Sequence, residues 1–455
     1  MPQNCHSEGA RPGGRPKNPS PTPFAPSATP SSPGQTLRFA QGDTGKATFG
    51  ASKGKALEGI RIADFSWVAV GPITTKYFAD HGAEVIRIES STRPETLRRT
   101  PPYTDDIPNP NRAGYHANLN SSKYGVTLNL KHPKAIELAK KLVARSDIVT
   151  ESFGPGVMAR FGLGYEALAS LKPDLIMMSL SMQGQTGPHA ASLGYGNTLL
   201  HLVGLGHLTG WPDREPVGLG SAYTDFFAPH LACTILLATL DYRRRTGRGQ
   251  YIDFSQYEAS LHCLGPVLLD YTANGRQQVR QGNRHPAAAP HGAYRCRGDD
   301  RWCAIAIFSD QEWHSLCRVL GDPEWTRDPR FATLQARLRH QEELDQKIEE
   351  WTSQRTAEEV METLQAAGVA AGVVQTAEDL HSDPQFQHRH HYCTLDHPEM
   401  GQRCYDSPSF RLSRTPTELC WAAPCLGQHN EVVFKDILGL SEEEYVALLL
   451  EGAFE

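Results

Sequence analysis

The chain has 455 residues, 39% hydrophobic and 21% charged, with a formal net charge of −6. That length allows two or three domains around a sizeable core. The acidic balance offers nucleic acid and anionic membranes no footing, and the longest apolar run, around residues 231–240, is far short of the roughly 18 residues that span a bilayer. The 10 cysteines are scattered without a CxxC pair, which fits reduced thiols in a cytoplasmic enzyme and leaves no zinc spacing.

Residues 1–55 are dominated by Pro, Ser, Gly and Thr, as in Pro19-Ser20-Pro21-Thr22-Pro23. Without apolar periodicity they cannot offset the entropy of ordering. They read as a disordered extension, or as residues ahead of the true start, although the next methionine is Met158. They lack the apolar stretch of a secretory signal.

Ordered structure is predicted from Leu57. Gly59–Phe65 reads as a buried strand, Pro72–His81 as a helix with Pro at its start, and Glu84–Glu89 as a second strand. This is a βαβ unit with parallel strands. Gly125–Leu130 is strand-like, and Ala135, Ile136, Ala139, Leu142 and Val143 then recur at helical spacing. Ile148–Thr150 and Leu175–Leu180 follow as strands. Such alternation defines a doubly wound α/β domain, whose ligands bind beyond the carboxyl ends of the strands. The loops after Phe65, Leu130 and Thr150 therefore form the candidate face. Past Gln250 the alternation weakens. Asn283–Gly292 reads as a loop, Trp302–Phe308 as a strand, and Gln341–Ala367 as largely helical, together a second, smaller domain.

The run Gly218-Leu219-Gly220-Ser221-Ala222-Tyr223-Thr224-Asp225 leads into an apolar helical stretch. It places a single carboxylate, Asp225, at a helix entrance. The orphan N–H groups and the helix dipole are expected to lower its pKa. An ionised carboxylate with few partners can attack an acyl group; a helix N-cap is the bland alternative. The Arg243-Arg244-Arg245 run suits a helix C-terminus through the dipole. The cluster from His388 to Cys393 matches no standard metal spacing, so no metal is expected.

Several separated motifs resemble those of the class III CoA-transferases, which also include formyl-CoA and carnitine CoA-transferases and α-methylacyl-CoA racemases. They are Asp64-Phe65-Ser66 with Gly71-Pro72, Ala79-Asp80-His81-Gly82-Ala83-Glu84-Val85-Ile86, Leu128-Asn129-Leu130-Lys131, Glu151-Ser152-Phe153-Gly154-Pro155-Gly156, Thr246-Gly247-Arg248-Gly249-Gln250, Ala367-Gly368-Val369, Asp383-Pro384-Gln385 and Leu426-Gly427-Gln428-His429. Each is weak alone; in this order, from about Ala56 to the C-terminus, they form a coherent set. The resemblance implies a Rossmann-like large domain built from both chain ends plus a smaller α+β domain, in two interlocked subunits. On that pattern 56–255 is the first part of the large domain, 256–385 the linker and small domain, and 386–455 the return.

The resemblance assigns Asp225 as the nucleophile of a CoA-transferase that moves CoA from a donor acyl-CoA to an acceptor carboxylic acid. It places Val68, Leu128, Leu130, Lys131, Phe153 and Arg160 against CoA, and implies a mobile loop at 283–292, here an apolar lid by its Pro and Ala content. Gly218 and Gly220 are candidates for oxyanion stabilisation. Coenzyme A is then a substrate, and no permanently bound cofactor is expected. The partners are acyl-CoA, a carboxylic acid and a second subunit, with neither nucleic acid nor membrane. Ser90 and the segment Asn120-Ser121-Ser122-Lys123 depart from the family pattern. Ala69 replaces the Gln of the formyl-CoA branch, which argues against formate and oxalate. Gly196 stands where racemases carry an acid, which disfavours α-proton exchange. An acyl-CoA isomerase and a catalytically silent CoA-binding protein stay open as alternatives.

Overall fold

The computed structural model describes residues 54–455; the reading of 1–55 as a disordered extension falls almost wholly outside them. The central element is a six-stranded sheet of β1 (Arg61–Asp64), β2 (Glu84–Glu89), β3 (Tyr124–Thr127), β4 (Ile148–Glu151), β5 (Ile176–Ser181) and β6 (Gln250–Ser255). Its order is β3-β2-β1-β4-β5-β6, and every neighbouring pair is parallel. This is the doubly wound arrangement, in which the strand order reverses between β1 and β4 and opens a crevice at the carboxyl ends.

Both faces of the sheet are covered by helices. On one, Leu138 and Leu142 of the helix Pro133–Ala144 share a core with Phe434 and Phe454 from the far end of the chain. On the other, Phe78 of the helix Val70–Asp80 packs with Ala228, Ala232 and Leu236 of the long helix Tyr223–Thr246. Burial on both faces explains why β1, β4 and β5 read as continuous apolar runs. Half of strand β6 is exposed and only Phe254 is buried, so its sequence lacks that signal.

A second core lies around an antiparallel sheet of β7 (His291–Arg295), β8 (Trp302–Ala306) and β9 (Ala370–Val373). Trp313, Leu316, Leu344, Ile348, Val360 and Leu364 supply its helical side. The expected helix over 341–367 is two, Gln341–Thr352 and Ala357–Ala366, the second opened by a capping box between Thr356 and Glu359. The hairpin of β10 (Tyr392–His397) and β11 (Gly401–Asp406) follows. Segment 283–292, expected as an apolar lid, is exposed at Asn283, Arg284, Pro286 and Ala287 and fully buried at Ala288 and Ala289, where Arg337 donates to the Ala289 carbonyl at 2.8 Å; its last residues open β7. Among the described residues no helix is long and apolar enough to cross a membrane.

Candidate active site

Asp225 lies in the first turn of the helix Tyr223–Thr246, which has Ala222 at its N-cap and no side-chain cap. The residue is 7% exposed. One Asp225 oxygen, Oδ1, accepts a hydrogen bond from Gln256 Nε2. Gln256 opens the helix Gln256–Leu261 directly after β6, capped by Ser255, whose hydroxyl accepts from the Glu258 amide. Tyr257 N donates to Met182 O at 2.8 Å, tying this helix to the end of β5. Asp225 thus stands beyond the carboxyl ends of the β5–β6 side of the sheet.

The expected lowering of the Asp225 pKa is corrected. Burial raises the carboxyl to about 6, only partly opposed by the Gln256 hydrogen bond. Among the described hydrogen bonds no backbone N–H reaches the carboxylate, so desolvation outweighs the helix entrance. The group is still mostly ionised near neutral pH. Its proximity is felt by Tyr115, whose phenol is pushed up by burial and then by the Asp225 charge.

Gly196 has a role that the sequence reading missed. A Cβ at this position would overlap the Asp225 carboxylate. Its carbonyl accepts from Thr224 Oγ1 at 3.3 Å. An acid at 196 could not coexist with Asp225 in this conformation. The Thr246-Gly247-Arg248-Gly249-Gln250 motif is likewise structural. Gly247, at φ 72°, ends the Asp225 helix with its N–H on Arg243 O at 2.7 Å. A side chain on Gly249 would strike the Leu175 backbone where β6 enters beside β5.

Of the predicted CoA residues, Val68 follows β1 and Phe153 and Arg160 follow β4, beside the β1–β4 crevice, while Leu128, Leu130 and Lys131 follow β3 at the edge of the sheet. Val68 and Ala69, on the loop after β1, both have positive φ, 45° and 32°. Such conformations cost on the order of 1–3 kcal/mol each in residues other than glycine. The loop after β4 meets them: Ser152 Oγ accepts from Trp67 N at 2.7 Å and donates to Trp67 O at 2.8 Å, and Phe153 packs edge-on against Trp67. Glu151 Oε2 holds the Phe153 amide at 2.7 Å, and burial raises its carboxyl to about 7. Leu130 is half-buried while Lys131 and Arg160 are exposed. Leu128 is 1% exposed and its side chain belongs to the core. Gly218 and Gly220 lie in an exposed loop before the Asp225 helix.

The departures from the family pattern resolve in two ways. Asn120-Ser121-Ser122-Lys123 is buried throughout. Lys123 Nζ donates to Pro72 O and Thr75 Oγ1, both at 2.8 Å, which makes this segment a support for the helix Val70–Asp80. Ser90 lacks a positive charge, but Arg93 nearby stands over the Trp67 ring at 5.7 Å. The run from His388 to Cys393 forms no metal-ligand group among the described residues. Glu89, Glu95 and His116 do have ligand spacing, but Arg98 and Arg87 already bind the two carboxylates.

The fold is that of one known family. Residues 57–430 match the model of CoA-transferase family III, and the chain belongs to that family. It is a CoA-transferase, with acyl-CoA as a substrate. It is similar to the succinyl-CoA–D-citramalate CoA-transferase of Chloroflexus aurantiacus, at 35% identity over 87% of this chain and 97% of that protein. The succinyl-CoA:glutarate CoA-transferase of Mus musculus is 30% identical over 90% of this chain and 93% of its own length. A crystal structure of a CAIB/BAIF family protein from Brucella suis superposes with a TM-score of 0.77 at 30% identity, covering 85% of this chain and 100% of that one.

Proposed function

We propose that this enzyme moves CoA from a succinyl-CoA-like donor to a dicarboxylic acid, with Asp225 carrying CoA between them. The observation that carries the reading is a lone buried carboxylate, raised to about 6 and held through one oxygen by Gln256. A carboxylate with a raised pKa is more nucleophilic than an ordinary one and remains ionised near neutral pH. The donor and acceptor classes follow the names of the similar transferases.

In the first step an Asp225 oxygen attacks the donor thioester carbonyl. The C–S bond breaks, CoA leaves as thiolate, and an aspartyl-acyl anhydride remains. The thiolate attacks the aspartyl carbonyl carbon, releasing the donor acid and leaving an aspartyl-CoA thioester. The acceptor carboxylate attacks that carbonyl and expels the thiolate, giving a second anhydride. Attack of thiolate on the acceptor acyl carbon yields the new acyl-CoA and restores Asp225. Division into such steps lowers each barrier.

CoA fits the crevice where the strand order reverses. Val68, Leu130 and Phe153 would flank its pantetheine arm, with Lys131, Arg160 and Arg93 meeting phosphates. The backbone at Gly218 and Gly220 is a candidate oxyanion support. The reading includes a second, interlocked copy: the helix Gly265–Asn274 has no buried residue, and its Leu269 is 68% exposed. Free cysteines throughout the described residues suit a reducing compartment such as the cytoplasm.

Asp225→Ala tests the assignment. Transfer between succinyl-CoA and a dicarboxylic acid is expected to vanish with the circular dichroism spectrum unchanged. Undiminished turnover in a folded variant contradicts the nucleophile.

A further inference from the structure

The loop after β1 is held by a buried ion network that the transfer steps do not use. Val68 N donates to Glu95 Oε2 at 3.0 Å. Ser66 O accepts from Arg87 Nη1 at 2.9 Å, and Ser66 N donates to Asp64 Oδ1 at 3.0 Å. Arg87 pairs with Glu95 and lies 3.6 Å from both Asp64 and Glu89. Arg98 grips Glu89 with two bonds, 2.8 and 2.7 Å, and reaches Pro424 O at 3.1 Å. Glu95 and Arg87 are both 0% exposed. The residue thus held, Val68, and its neighbour Ala69 both have positive φ. A β-branched residue in that region is an outlier and persists only when its surroundings over-determine it.

The position of this loop matters for both halves of the site. Val68 borders the β1–β4 crevice, and Val68 and Ala69 pack in one cluster with Tyr115, the residue that senses Asp225. Burying five charged side chains, Asp64, Arg87, Glu89, Glu95 and Arg98, is a poor way to gain stability, since ion pairs of this kind seldom outdo apolar packing. What the network does supply is a fixed acceptor for an amide in a strained turn. The metal reading of Glu89, Glu95 and His116 fails against the same facts, because guanidiniums occupy the carboxylate oxygens.

We infer that Glu95 is a positioning residue for CoA binding: it clamps the Val68 amide and so holds the Val68–Ala69 turn in its CoA-receiving shape. The inference rests on the reading that this turn faces CoA. Glu95→Ala removes the acceptor and is expected to weaken CoA binding by about tenfold, the size of one charge-assisted hydrogen bond. Amide hydrogen exchange in the peptide containing Val68 should rise in parallel. Glu95→Gln keeps an oxygen for the amide but not the charge that pairs with Arg87, and should fall between the two.

Adding Ala69→Gly, which lowers the cost of positive φ, should restore several-fold of the lost affinity. A side chain that merely supports the fold would not be rescued in this way. The readouts are titration of CoA and peptide-resolved hydrogen exchange on the full-length protein. CoA affinity within twofold of wild type in folded Glu95→Ala, unchanged exchange at Val68, or no recovery on adding Ala69→Gly would each overturn the inference. If Glu95→Ala does not fold, Glu95→Gln with and without Ala69→Gly carries the same comparison. Because the readout is CoA binding, failure of the Asp225 reading is seen separately, as persistent turnover in Asp225→Ala.

Discussion

At the scale of single residues, Asp225 makes its environment measurable. Its carboxyl is raised to about 6 by burial, so kcat/KM should fall about tenfold per pH unit below that value and level off above it. Glu151, raised to about 7, titrates in the same range, and substitution of Gln256 tells the two apart. The Gln256 hydrogen bond lowers the Asp225 pKa, so Gln256→Leu should move the acid limb to higher pH; a limb that stays in place belongs to another group. Asp225→Asn should also stabilise the protein. The folded carboxyl keeps its proton up to about 6 and the unfolded one only to about 3.8. Stability is therefore lost as pH rises between those values. Above pH 6 the cost is on the order of 3 kcal/mol. Denaturation midpoints of variant and wild type should differ at pH 7.5 and converge near pH 4. Gly196→Ala puts a methyl into the carboxylate and should lower kcat about a hundredfold with the fold retained, as small misplacements of reacting groups do; wild-type kcat would show that Asp225 has room to spare. The position of Asp225 was legible from the sequence through its helix entrance and the motif after the helix. Its partners were not, because Gln256 and Gly196 come from other segments and have no spacing signature.

At the scale of elements, the best-read segments were those buried on both sides. β2 was bounded at Glu84–Glu89 from sequence, and β1, β4 and β5 lay within two residues of their predicted limits. β6 was missed because an edge strand with exposed Tyr251 carries little apolar pattern. The β10–β11 hairpin was missed for a related reason: its side chains alternate around charged and polar residues without a strong apolar face. Within 283–292, Ala288 and Ala289 pack away because small residues also suit a tight entry to a strand, a use that composition does not separate from a lid. The C-terminal elements close one face of the main sheet. Thr127 N donates to Asn430 Oδ1 at 2.8 Å, Asn129 N donates to Ala453 O at 3.0 Å, and Phe434 is fully buried. Phe434→Ala should therefore cost about 3–5 kcal/mol, seen as a lowered urea midpoint of the whole large domain. A local loss of the last helices with the sheet untouched would contradict that coupling.

At the scale of the molecule, the fold supplies a crevice between β1 and β4 and a carboxylate beyond β5 and β6, joined by the turn at Val68 and Ala69 and by Tyr115. On the proposed reading, substrate choice depends on what completes the space above Asp225, and the exposed helix Gly265–Asn274 would meet a second copy. Light scattering should give twice the chain mass, and a stable monomer with full activity would contradict the interlocked assembly. The most direct test concerns the covalent carrier itself. The protein is mixed with succinyl-CoA, quenched with hydroxylamine or borohydride, digested, and analysed by mass spectrometry. The expected result is a modification on Asp225 alone, absent in Asp225→Asn. Complete turnover with Asp225 never modified, under conditions that trap a model acyl anhydride or thioester, would contradict it.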